Sequence, residues 1–406
     1  MKKSLAIIVI SQFFCTSLWF AGNAVLPDLV KDLRADSGLL ANLVSAVQLG
    51  FITGTLLSAL TGLADKVIST RLFFTCAFAA ALLNAMILFA GPGNAVLLVL
   101  RFLTGFFLAG IYPVGMKIAS DHSGNKPSKS LGFLVGALVL GTSFPHLLKS
   151  LNPGYSWKVL VLAPSLLSAA GGTMMLLLIP PTKIREINKS RSAAGITEGF
   201  KIAPFRQAAL GYFGHMWELY TFWAFLPVIL LGYKVRNHFD DMNVTLWSFL
   251  IIASGFLSCI AGGYLAERIT PKRLAFSLLS VSGICCLLSP LFLLGSNETG
   301  LFIFLLIWGM AVIADSPLFS AIVADSAPPE SKGTLLTIVT CGGFFLTIIS
   351  IQITNTLSAI TSNEYLLLWL VSGPVFGLSA LLIKTPTAMA FNQIISGNER
   401  PFAGDN

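Results

Sequence analysis

The sequence predicts an all-α polytopic membrane protein, with twelve transmembrane helices in two pseudo-symmetric bundles of six. Three observations carry that prediction. Hydrophobic residues make up 55% of the 406 residues and charged residues only 11%, with a mean hydropathy of +0.81; a soluble domain carries about 25% charged residues because its surface must face water. Twelve apolar stretches are each long enough to cross a ~30 Å hydrocarbon core, which takes a helix of about 20 residues. The 26 Lys and Arg residues fall mostly on one side of the resulting topology, as loop charge bias requires.

The first six spans are read as 5–27, 38–61, 72–91, 95–119, 130–150 and 158–180. Met1-Lys2-Lys3 leads into span 1 with no A-x-A cleavage site, so this run is read as a retained span. Span 2 stops at Gly62 and the charged Asp65-Lys66, and span 3 lies between Arg71 and Gly91-Pro92-Gly93. Span 4 holds Arg101 and Pro113 and ends before Asp121; Lys129 precedes span 5, and Asn152-Pro153-Gly154 follows it. Pro180-Pro181 closes span 6. The basic stretch 181–206 then divides the chain six plus six.

Spans 7 to 12 are read as 207–231, 245–266, 274–295, 299–324, 333–357 and 364–384. The domains expected are an N-terminal bundle at 1–180, a linker at 181–206, a C-terminal bundle at 207–385 and a tail at 386–406. With both termini inside, the outer loops hold only Lys31, Arg34, Lys149, Lys158, Lys234 and Arg236, and every other basic residue except Arg101 lies inside. The net charge of +8 then serves topology and not nucleic acid. Short loops and Lys-rich inner faces point to a bacterial inner membrane.

Several function classes are disfavoured. No G-x-x-x-x-G-K-[ST] motif is present, and no soluble domain is large enough for an ATPase. His122, His146, His215 and His238 are scattered, and the six cysteines lie in apolar stretches without metal-ligand spacing, so no metal, cofactor or enzymatic centre is expected.

The halves repeat. Phe13 and Pro27 match Phe213 and Pro227; Thr61-Gly-Leu-Ala-Asp65-Lys66-Val matches Gly263-Tyr-Leu-Ala-Glu267-Arg268-Ile; Pro113 and Asp121 match Pro317 and Asp325. Three matches in order, at nearly constant offset, indicate duplication. The acid-basic loop after spans 2 and 8, together with Arg101-Phe-Leu-Thr-Gly105 at the start of span 4, resembles the signatures of the major facilitator superfamily. Thr61 stands where that family has its first glycine, and Ile68-Ser69 replace its usual Gly-Arg. Span 5 has Gly132, Gly136 and Gly141 but lacks the Gly-Pro-x-x-Gly-Gly element of many drug antiporters. The resemblance covers essentially the whole chain. It implies secondary transport of a small solute by alternating access, with spans 1, 4, 7 and 10 lining a central cavity. Small-anion porters of the nitrate and cyanate type are a faint likeness. A uniporter and a non-transporting sensor are the alternatives.

Of 18 acidic residues, only Glu218 in span 7 and Asp315 in span 10 fall well inside a span. Glu218 lies about 17 Å along its helix, near the midplane. A carboxylate there must face a cavity, find a partner or be protonated. His215 precedes Glu218 by three residues, so the two are expected on one helical face as a proton-binding pair. Asp315, a further proton-coupling candidate, precedes Ser316-Pro317 at an expected kink, where a hinge-stabilising acid is the alternative. Arg101 must pair or meet an anion, and the resemblance gives it influence on proton coupling. Trp19, Asn23, Tyr112, Trp217 and Tyr220 are the expected cavity residues. Asp65, Lys66, Arg71 and Asp121, with Glu267, Arg268, Arg273 and Asp325 as their counterparts, are expected to latch one conformation. The expected partners are a small solute, protons and lipid, with the chain a monomer.

Overall fold

A computed structural model describes residues 3–22, 38–91, 93–123, 127–152, 154–181, 199–328 and 331–383. Among them, ten helices are long and apolar enough to cross a membrane, and two shorter apolar ones, Lys3–Thr16 and Leu368–Leu382, complete the expected order. Span 1 is helical over Lys3–Thr16 and continues as turns to Gly22. Span 7 runs as one helix over Ala203–Asn237 and ends at His238 in the left-handed conformation. Span 12 starts with a 3₁₀ turn, Leu368–Val371, before Ser372–Leu382. Side chains such as Leu60, Phe89, Leu177 and Leu291 are exposed on the outside, as a surface facing lipid requires.

The duplication read from the sequence reappears in the packing. Span 2 packs on span 4 and span 8 on span 10; span 1 packs on 5 and 6, as span 7 does on 11 and 12. Gly105 lies against the Val47 carbonyl and Gly309 against the Ile251 carbonyl, leaving no room for a Cβ at either position. Both contacts shift by the same 204 residues between halves, matching the offset of Pro113 and Pro317. Spans 4 and 10 are each broken shortly before that proline: Ala95–Leu108 gives way to Tyr112–Ser123, and Glu298–Ala314 to Ser316–Ser326. Proline has no N–H and crowds the carbonyl four residues back.

The halves meet along two seams, span 5 against span 8 and span 2 against span 11. Gly132 and Gly136 bring span 5 onto the backbone of Cys259 and the ring of Phe256 in span 8. Cys15, Cys76, Cys259, Cys285, Cys286 and Cys341 are all buried and unpaired.

Candidate functional site

A cavity of about 310 Å³ lies between the halves, with its mouth at the end carrying Asp65, Lys117 and Lys129, here termed the basic face. Span 4 contributes Tyr112, Met116 and Ser120, and span 7 contributes Tyr212, Met216 and Tyr220. Ser316 and Ser320 of span 10, Thr340 and Phe344 of span 11 and Thr55 of span 2 complete much of the wall. These residues run from the middle of their spans, at Tyr220 and Phe344, toward the ends nearest the basic face, at Lys117 and Ser120.

Aromatic rings close the other end. Trp19 packs on Phe51 at 4.9 Å between centroids and stacks on Tyr220 at 6.0 Å; Phe344 lies 4.7 Å from Phe51 and 5.3 Å from Tyr220. Beyond them the Gln352 side chain donates to Asn42 Oδ1 (3.3 Å) and Ser45 Oγ (2.9 Å), tying span 11 to span 2. The cavity therefore faces the basic side with its opposite end sealed.

The expected cavity residues divide. Tyr112 and Tyr220 line the wall, and Trp19 lies in the plug that ends it. Trp217 does not line it: its ring packs edge-on to Trp369 at 5.1 Å, toward span 12, because one residue of helix turns the side chain about 100° from cavity-lining Met216. Asn23 lies outside the described residues. Sequence reasoning missed Thr55, Tyr212 and Met216, whose residue types carry no signal on an apolar span.

The buried charges also depart from expectation. His215 and Glu218 do not form a pair. His215 Nδ1 lies 2.7 Å from Asp315 Oδ1, with both side chains 1% exposed, and so bridges span 7 to the break in span 10. Glu218 points elsewhere: its Oε1 accepts from Ser282 Oγ (2.5 Å), Trp308 Nε1 (2.6 Å) and Cys286 Sγ (3.3 Å), on spans 9 and 10. Three residues turn a helix about 300°, leaving the two directions about 60° apart, enough to reach different neighbours. Neither Glu218 nor Asp315 is itself a wall residue of the cavity, although Met216 and Ser316, next in sequence to His215 and Asp315, are.

Arg101 is buried at 1% exposure and does not snorkel to the surface. Its guanidinium donates to the carbonyls of Leu18 (3.0 Å) and Trp19 (2.5 Å) and to Asn84 Oδ1 (3.1 Å). Those carbonyls lie where span 1 has stopped being helical, so the fork caps a broken helix end. Asn84 in turn donates to the Val161 carbonyl (3.0 Å) and Ser165 Oγ (2.9 Å), joining spans 1, 3, 4 and 6.

At the basic face, Lys117 Nζ pairs with Asp65 at 2.9 Å and also donates to the Ala64 carbonyl, within the first half. Glu267 pairs with Lys129 at 2.9 Å, and that lysine also lies 4.3 Å above the Tyr264 ring, so spans 5 and 8 are clasped across the halves. Neither lysine was singled out by sequence. Lys66, Arg71, Asp121, Arg268, Arg273 and Asp325 are exposed on the same face. Among the described residues no three His, Cys, Asp or Glu side chains converge as a metal site needs.

A family model described as Major Facilitator Superfamily matches residues 8–351. The crystal structure of the human organic anion transporter MFSD10 (TETRAN) is similar with a TM-score of 0.72, over 93% of this chain and 98% of that chain. Sequence identity is 14%, so that likeness speaks for the fold alone. Comparison with curated proteins gives no match.

Proposed function

The chain belongs to the major facilitator superfamily, which makes it a membrane transporter and not an enzyme, and on that premise we propose that it couples movement of a small solute to movement of protons. Its two six-helix halves rock about the central cavity, exposing it to each side in turn. The excess of Lys and Arg on the basic face supports a cytoplasmic orientation for that face, so this conformation is inward-facing.

The observation that carries proton coupling is the buried His215–Asp315 pair, one residue behind the cavity wall on both of its helices. With one shared proton the pair is neutral overall; without it a net negative charge is left in a region where isolated charge is costly. Solute in the cavity touches Met216 and Ser316, so occupancy bears on the backbone that holds the pair. Glu218, held by Ser282, Cys286 and Trp308, is a second protonatable group behind the first. The Lys129–Glu267 clasp supports a role for the basic-face charges in holding this conformation.

Proteoliposomes loaded with a pH dye and screened across a solute panel test the reading, with wild type beside Asp315→Asn and Glu218→Gln. Solute-dependent proton entry in wild type, abolished in Asp315→Asn, is expected. Solute flux without proton movement, unchanged by either substitution, would leave a uniporter or another driving ion.

A further inference from the structure

Resting on the reading of the cavity as a solute site, we propose that it takes an uncharged organic molecule with a largely apolar, ring-bearing body, recognised by hydroxyl groups and not by charge. Three observations converge on this.

The wall offers no free charge. Among the described residues, Lys117 is the one charged side chain that lines it, and Lys117 is at the mouth and already paired with Asp65 at 2.9 Å. The charges deeper in the protein are engaged elsewhere: Arg101 by the span 1 carbonyls, Glu218 by Ser282 and Trp308, Asp315 by His215. An ion entering the cavity would lose its hydration and gain no partner of opposite sign. This argues against a small inorganic anion.

The body of the wall is apolar, from Met116, Leu138, Met216, Leu219, Ile313 and Phe344. Aromatic and thioether surfaces of this kind receive a ring face.

Its polar groups are hydroxyls, which donate or accept without bringing charge. Tyr112, Tyr212 and Tyr220 present phenols from spans 4 and 7. Thr55 is 7% exposed and lines the cavity, and its Oγ1 has no hydrogen-bond partner. A buried hydroxyl left unpaired is costly and rare, so a solute carrying one or a few hydrogen-bonding groups on an apolar frame would complete this site.

Equilibrium binding to the purified full chain in lipid nanodiscs tests the proposal, with dansylamide fluorescence as probe at neutral pH. Its competitors share one ring system: naphthalenemethanol (uncharged), naphthoate (anion) and naphthylmethylamine (cation), with nitrate as the inorganic anion. Naphthalenemethanol is expected to displace the probe at concentrations about tenfold or more below either ion, and nitrate not to displace it. Thr55→Val and Tyr220→Phe, each removing one hydroxyl, are expected to weaken naphthalenemethanol by about three- to tenfold. Equal or tighter binding of either ion, or displacement by nitrate, overturns the proposal. So does a dansylamide signal that neither substitution alters, since this would report lipid partitioning. No gradient is applied, so a failure of proton coupling leaves this result standing. Proton flux driven by naphthoate would overturn the inference and leave the transport reading intact.

Discussion

Replacing Arg101 by methionine isolates what a buried guanidinium does in this fold. The substitution keeps an unbranched apolar stem but removes donors to Leu18, Trp19 and Asn84. Hydrogen bonds from a charged group contribute about 1.5–3 kcal/mol each, but interhelical bonds inside membranes average about 0.6 and reach about 1.7 kcal/mol. Methionine also avoids the guanidinium's desolvation penalty, which works in the opposite direction. Three orphaned acceptors, two of them backbone carbonyls at a broken helix end, set the net loss at about 2–5 kcal/mol. Unfolding in mixed micelles titrated with SDS, followed by tryptophan fluorescence, measures it. Arg101→Lys should recover only part of the loss, because an ammonium cannot reproduce the two-carbonyl fork. The Arg101→Met molecules that remain folded should still move protons with solute, since the side chain is off the cavity wall. A loss within about 0.5 kcal/mol, the range of an uninvolved surface position, would refute the clamp.

Gly105→Ala and Gly309→Ala should each destabilise by about 1–3 kcal/mol in the same assay, additively, because each new methyl meets a backbone carbonyl in a separate half; Gly333→Ala, with nothing near its Cβ position, should not, and equal behaviour of all three would sink the argument. Lys129→Gln should cost at most about 1 kcal/mol of stability, as a half-exposed pair does, while increasing the accessibility to water-soluble reagents of a reporter on the face opposite the basic one; unchanged accessibility would mean that the clasp holds nothing. Asp65→Asn should slow solute uptake at normal membrane levels, because it breaks the contact that holds Lys117 at the cavity mouth; unchanged turnover would return Asp65 to a topological role.

The spans were legible because the lipid core imposes a length and a polarity that the chain must write into itself, and the duplication because both halves pack their glycines and prolines at one offset. Partners were another matter. Arg101 announced that it needed acceptors, but these are carbonyls, which every residue has; only the end of helix at Thr16 exposes them. His215 and Glu218 share a face by sequence spacing, yet about 60° of rotation sends one to span 10 and the other to spans 9 and 10 at a different level. Ser282, Trp308 and Cys286, which hold Glu218, are ordinary residues on apolar helices. Lys129 looked like one more topological charge until span 8 brought Glu267 within 2.9 Å. Pairings across forty or more residues are fixed by how helices stack, and that information is spread over many weak packing choices.

The six sealed, unpaired thiols give the molecule a chemically quiet exterior. Thiolate reactivity needs exposure and a polar setting, so water-soluble maleimides should leave the native protein unmodified. One cysteine introduced at exposed Lys66 and another at exposed Gly333, in opposite halves at the basic face, would then carry the only spin labels. Pulsed electron-spin measurements of their separation could follow the opening and closing of the cavity mouth without the wholesale sulfur replacement that such work usually demands.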